Sequence, residues 1–246
     1  KSGIVTEEPT YTVTIPEGKT VEEIADIYAN TIPIDREDFI EIVNNKDYVE
    51  QLISTYPELL SESILDPEIV TPLEGYLFAA TYDFYEEEPT VELIVKQMID
   101  KTAQVVKPYM EQMKEKGFTV HEALTFASLV EKEAKTKEQR SMIAGVFYNR
   151  LEQEMPLQTD PTVLYALGEH KDKVLLKDLE TDSPYNTYQI PDLPIGPISN
   201  FGENSLEATL NPEETDYLYF LHDQDGNIYY AETHDEHVQL KSQYID

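Results

Sequence analysis

The 246-residue chain has no cysteine, few cations and no long apolar run. Without cysteine there is no disulfide, no thiolate metal ligand and no thiol nucleophile. A cysteine-free composition fits an exported protein without requiring export. Lys and Arg number 18 against 49 Asp and Glu, for a formal charge of −31. Both parts of the chain are acidic: residues 1–100 hold 5 basic and 23 acidic side chains, and residues 101–246 hold 13 and 26. Neither carries the clustered Lys and Arg that a phosphate backbone needs, so nucleic acid is excluded as a partner. Anionic lipid repels such a surface unless something else tethers it. No apolar run approaches the roughly 20 residues of a membrane helix. The sequence starts at Lys1, which leaves a leader or anchor outside these residues open.

What is present is a globular composition. Apolar residues make up 40%, with 17 Tyr and 8 Phe, too aromatic for a disordered acidic tail. Residues 11–15 alternate like a short strand and Pro16 to Gly18 turn. Thr20 with Glu23 is a capping-box signature opening a helix through Val21, Ile24, Ala25 and Ile27. Asp35 to Val43 reads as a second short helix. This β-α-α pattern over about residues 9–45 is similar to a LysM-type carbohydrate-binding module, and it reads equally as a small packing unit. Residues 46–88 are mixed and rich in turn signals, ending in the solvated Glu86-Glu87-Glu88-Pro89 run. Helical spacing follows over Thr90–Lys116, broken near Pro108, then over Thr119–Ala134, Lys137–Gln153 and Thr159–Leu167, with stops at Gly117 and Gly168. Residues 181–204 form a long Pro-rich loop that retains Tyr and Ile, a composition common in functional loops. Tyr217–His222 and Asn227–Ala231 read as a hairpin through Asp225-Gly226, and His234–Tyr244 as a closing helix.

The helix over 119–134 holds the main chemical candidate. On a helix, neighbours lie three and four positions away. Those of Glu133 are Val130 and Leu129, whereas those of Glu131 are Ser128 and Ala127. A carboxyl against apolar groups loses solvation when ionised and its pKa rises, which suits a general acid near neutrality. The competing reading is a solvated Glu at a helix end beside Lys132 and Lys135, and the pattern by itself favours that. Asn149, Gln158, Thr159 and Asp160 form a second polar group, and Tyr185, Asn186, Thr187 and Tyr188 a third. Amides, hydroxyls and aromatic faces suit a sugar site. The local alternative is stronger for each: Asp160 as a helix N-cap, Asn186 as a loop tie. His222, His234 and His237 suggest a metal set only weakly, and His121 and His170 are isolated. No HExxH, Walker, GxGxxG or GxSxG motif occurs, so hydride and phosphoryl transfer have no support.

Seven ordered blocks carry a resemblance. They are Leu73–Phe78 with Thr81-Tyr82, Ala127–Glu133, Val146–Leu151, Leu157–Val163, Tyr185–Tyr188, Leu193–Ile198, and Asn211-Pro212 with Tyr217–Phe220. Together they resemble the YceG-like family of endolytic murein transglycosylases. The resemblance implies an exported lyase, anchored in the cell membrane by one N-terminal helix that is not in this sequence, which cuts peptidoglycan glycan strands internally. In the family pattern the catalytic residue is the second Glu of Glu-Lys-Glu, here Glu133. As general acid and then base, it would break the MurNAc–GlcNAc bond without water and leave 1,6-anhydro-MurNAc ends. The expected substrate contacts are Asn149, Gln158, Asp160, Tyr185, Asn186 and Tyr188. No metal or cofactor is implied, and peptidoglycan synthases or division proteins are the implied partners. A hydrolytic muramidase using Asp160 or Glu131 as second carboxylate stays open, as does a non-catalytic wall-binding protein. The expected fold is α+β: a LysM-like subdomain at 1–45, a connecting segment at 46–88, and a helix-rich catalytic domain with a β-hairpin at 89–246. The cleft is expected between the Glu133 helix and the loop at 181–204.

Overall fold

The computed structural model describes residues 8–168, 171 and 173–245, so His170 lies outside it. The chain folds as α+β. Strand β1 (Tyr11–Thr14) pairs antiparallel with β2 (Thr81–Phe84), Tyr11 opposite Phe84 and Thr14 opposite Thr81. Helix α1 (Val21–Thr31) opens with the expected reciprocal Thr20–Glu23 cap, and α2 (Arg36–Asn44) is capped by the Asp35 side chain. Helix α3 (Lys46–Thr55) and β2 are not legible in the sequence. Asn45 ends α2 and caps α3 at once, so no Gly or Pro marks the break. Strand β2 has four residues and depends on a partner far away in the chain.

Helix α4 (Val91–Val106) stops at a 3₁₀ turn containing Pro108, and α5 (Met110–Glu115) continues beyond it. Pro108 cannot donate an amide to the helix ladder, which explains the interruption. Helix α6 (Val120–Glu133) starts at a second capping box, Thr119 with Glu122. Then come α7 (Arg140–Glu152), α8 (Asp160–Leu167, closed by left-handed Gly168) and α9 (Glu203–Leu210). Strands β3 (Tyr219–His222) and β4 (Ile228–Ala231) form the expected hairpin, and α10 (His234–Tyr244) packs on it.

Helix α6 lies at the centre. All eight residues from Ala123 to Val130 are buried, which marks a helix surrounded by protein. Ala123, Leu124 and Ala127 join an apolar cluster built from β1, β2, α1 to α4 and the inner face of α9. Phe126, Leu129 and Val130 join a second cluster with Ile143, Phe147, Leu157, Tyr185 and Ile198. Truncating a ring as buried as Phe126 would cost about 3–5 kcal/mol.

Polar pins hold the loop at 181–204 to this frame. Ser128 Oγ accepts the Ile198 amide at 3.1 Å. His121 Nε2 donates to the Ile195 carbonyl at 2.8 Å, which leaves Nδ1 to accept from Tyr76 at 2.7 Å. Asn200 bonds both Lys19 and Pro16, joining the loop to the turn before α1. Below α1, the Glu74 carboxyl is 3% exposed. It accepts the first amide of α1 from Val21 at 3.1 Å and the Tyr165 hydroxyl of α8 at 3.1 Å.

Burial pushes the Glu74 carboxyl from an ordinary 4.5 to about 8, outweighing those two bonds. The folded state therefore binds a proton that the unfolded chain releases. Its stabilising effect is complete below about pH 4.5 and is lost as pH rises through about 8. Glu74→Gln should gain stability relative to wild type across that interval, by roughly 2–4 kcal/mol at its alkaline end. Denaturant unfolding of both proteins at several pH values checks this, and parallel stability curves would disprove it.

Candidate active site

Two glutamates end α6 and have opposite fates. Residues two apart on a helix point about 200° apart. The Glu131 carboxylate turns inward. It accepts from Arg140 Nη2 at 3.0 Å, the Gly202 amide at 2.9 Å and Ser205 Oγ at 2.5 Å. Gly202 caps α9 without a side chain of its own, so Glu131 supplies the negative group that a helix N-terminus favours. This structural commitment corrects the expectation that Glu131 could serve as a second catalytic carboxylate.

Glu133 faces the other way, into an open cavity of about 950 Å³. No donor among the described residues bonds its carboxyl, which stays available for chemistry. Burial, and then the nearby negative charge of Asp160, push it from an ordinary 4.5 to about 7, while Lys135 pulls it down. The solvated reading favoured by the bare pattern therefore gives way to a half-buried, perturbed carboxyl.

Gln158, Asp160 and Tyr188 line the same cavity. Asp160 is the first residue of α8 and does not cap it; Thr159 occupies the cap position, its side chain bonded to Thr162 and Thr187 rather than to a helix amide. The Asp160 carboxylate instead accepts the Tyr188 hydroxyl at 2.6 Å. Gln158 has a left-handed backbone, φ 54°, a conformation that costs a side-chain-bearing residue about 1–3 kcal/mol and recurs at functional sites. Its amide donates to Thr187 and its side-chain oxygen accepts from Arg150.

The other expected contacts lie elsewhere. Asn149 donates to the carbonyls of Thr215 and Tyr217, fixing the approach to β3. Asn186 is fully buried and ties Leu179, Thr181 and the Tyr188 amide together. Tyr185 is 1% exposed and packs against Tyr165. Asn186 and Tyr185 shape the loop that presents Tyr188, Asn149 holds the segment before β3, and none of the three lines the cavity. Asn149 and Asn186 spend their side chains on local hydrogen bonds, as short polar side chains near free backbone groups often do, and Tyr185 is held by packing.

The opposite wall also differs from expectation. Of the loop at 181–204 only Tyr188 reaches the cavity, and β3 with α10 supplies the rest through Tyr219, His222, His234, His237 and Lys241. The sequence reading missed Arg150, although it lies in a quoted block beside Asn149. One residue along α7 turns it about 100°, so that it lines the cavity while donating to the carbonyls of Pro156, Leu157 and Leu218. Among the described residues, no group of three or more His, Asp or Glu is arranged to hold a metal ion.

Fold and cavity together define an α+β protein whose open cavity holds, among the described residues, a carboxyl without a hydrogen-bond donor and with its pKa raised to about 7. The chain belongs to the YceG-like family, whose profile matches residues 2–243. It is 45% identical over 235 residues to the endolytic murein transglycosylase of Bacillus subtilis (strain 168), covering 96% of this chain and 65% of that protein. It is 36% identical over 247 residues to the protein of the same name from Streptococcus pneumoniae (strain D39), covering 96% of this chain and 45% of that one. The chain thus spans two-thirds or less of the length of these relatives. A crystal structure of a YceG-like protein from Listeria monocytogenes superposes with a TM-score of 0.91 at 45% identity, covering 96% of this chain and 77% of that one.

Asp160 contributes to the raised Glu133 value only after burial does. Asp160→Asn should therefore lower the Glu133 titration midpoint below about 7 but leave it above 4.5. Carboxyl-carbon NMR of the two proteins reads this directly, and an unmoved midpoint would show that the two groups do not couple.

Proposed function

We propose that this chain carries the catalytic part of an endolytic lytic transglycosylase acting on peptidoglycan glycan strands. The observation that carries this reading is Glu133: a free carboxyl at about 7, facing an open polar cavity. The names of the relatives support the substrate.

One carboxyl serves both steps. Protonated Glu133 donates to the oxygen joining MurNAc C1 to GlcNAc, and that C–O bond breaks with positive charge developing on the MurNAc ring. Glu133, now a carboxylate, takes the proton from the MurNAc C6 hydroxyl, whose oxygen bonds to C1. The product is a 1,6-anhydro ring, the proton returns to Glu133, and no water is consumed. A value near 7 suits both roles, since the group must give up and regain the proton at similar pH. Gln158, Asp160 and Tyr188 are the proposed contacts, and Asn149, Tyr185 and Asn186 act by positioning.

The division into residues 1–45, 46–88 and 89–246 belongs to the same proposal, with β2 from the middle segment completing the sheet of the LysM-like unit. Action on the outer face of the cell membrane follows from a wall substrate. No helix among the described residues is long and apolar enough to cross a membrane. An anchoring helix outside this sequence, and partners among wall synthases or division proteins, rest on the family resemblance.

A second reading is favoured by the presence of Asp160 in the same cavity: a muramidase using Asp160 as its second carboxylate and water as nucleophile. Mass spectrometry of digested peptidoglycan decides between them. Wild type should release anhydro-MurNAc ends, and Glu133→Gln should lose activity by at least about a hundredfold. Reducing ends from wild type would instead establish the hydrolase. Undiminished cleavage by Glu133→Gln would remove Glu133 from the mechanism.

A further inference from the structure

The protein is strongly acidic, but its cavity is not. Among the described residues, Lys132, Lys135, Arg150, Lys173 and Lys241 line it, five of the 18 Lys and Arg, against two of the 49 Asp and Glu. A −31 surface repels anionic polymer at long range, so this local excess of cations calls for its own account.

Arg150 is the centre of it. Its residue is 7% exposed. Nε donates to the Leu218 carbonyl at 2.6 Å, and Nη1 to the carbonyls of Pro156 and Leu157 and the Gln158 amide oxygen. Every acceptor is neutral. The guanidinium stands 4.9 Å from the Tyr219 ring centre. Among the described residues it forms no ion pair, and Nη2 makes no bond. Desolvating a cation costs several kcal/mol unless an anion compensates, and the fold provides none here.

His237 adds an independent sign. It lines the same wall, stacked on Tyr219 at 5.3 Å, and its Nδ1 is buried without a hydrogen-bond partner. Lys241, one turn further along α10, is exposed at the mouth. A buried guanidinium without a counter-ion, an unsatisfied ring nitrogen and an exposed ammonium on one wall suit an anion with planar oxygens.

We propose that the β3–α10 wall is a subsite for a carboxylate carried on the muramyl residue of the glycan, bound by Arg150, His237 and Lys241. Two sources share that chemistry: the lactyl carboxylate of a peptide-free muramyl residue, and the carboxylates of an attached peptide. This subsite deepens the transglycosylase reading and rests on it. It makes recognition depend on the charge of the muramyl substituent.

The test measures binding with cleavage disabled. Glu133→Gln protein is titrated with four soluble glycan preparations: peptide-bearing strands, the same strands with carboxylates converted to methylamides, peptide-free strands, and their methylamides. For the class that carries the recognised group, neutralisation should weaken binding by about tenfold or more. Adding Lys241→Gln, an exposed change that spares the core, should narrow the gap between charged and neutral strands. Equal affinity for charged and neutral forms in both classes, or no binding of any strand, overturns the subsite. Wild-type cleavage is read in parallel. Cleavage with charge-independent binding overturns the subsite alone, whereas charge-dependent binding without cleavage overturns the activity alone.

Discussion

Helix α6 is enclosed by two apolar clusters, and that burial decides what its last turn can do. A helix held on every side cannot rotate, so the directions of Glu131 and Glu133 are set by packing several residues earlier. One carboxylate is fastened to Arg140, Gly202 and Ser205. The other reaches the cavity with no hydrogen-bond donor to its carboxyl among the described residues. The same residue type two positions apart thus gives a structural strut and a desolvated carboxyl of raised pKa. The difference comes from hydrogen bonds and desolvation.

The loop at 181–204 is a spacer between frame and cavity. Ser128, His121 and Asn200 fix its backbone to α6 and to the N-terminal unit. Asn186 ties its interior and donates nothing to the cavity, while Tyr188 emerges from it to hold Asp160. Positioning residues outnumber contact residues because each exposed polar group at the cavity needs several buried bonds behind it. The left-handed backbone at Gln158, shared with Glu154 four residues earlier, is local strain that this scaffold sustains.

Charge is arranged on two scales. The surface carries a large negative excess, whereas five cations line the cavity, Lys132 and Lys135 beside Glu133 and Arg150, Lys173 and Lys241 elsewhere around it. Glu133 itself keeps a high proton affinity among these cations because burial and Asp160 outweigh Lys135. Desolvation is the larger influence, and it is supplied by the packing around the end of α6.

Local signals were legible wherever the physics is local. The Thr20–Glu23 and Thr119–Glu122 caps, the break at Pro108, the stop at Gly168 and the hairpin at Asp225-Gly226 each depend on a few adjacent residues, and each stands in the structure. The apolar neighbours of Glu133 also pointed to desolvation. Strand β2, the pairing of α10 with the hairpin, the anchoring of Glu131 and the exposure of Arg150 to the cavity could not be read from neighbours. Asn149 and Arg150 adjoin in sequence and both donate to loop carbonyls, yet only Arg150 lines the cavity. The sequence by itself determined most of the helices, the capping boxes at Thr20 and Thr119, the net charge and the family motifs, because these follow from short-range contacts and composition. Only the tertiary structure decided which carboxyl is free, which polar residues are spent on the scaffold and where the cations gather, because burial and hydrogen-bond partners come from segments far apart in the chain.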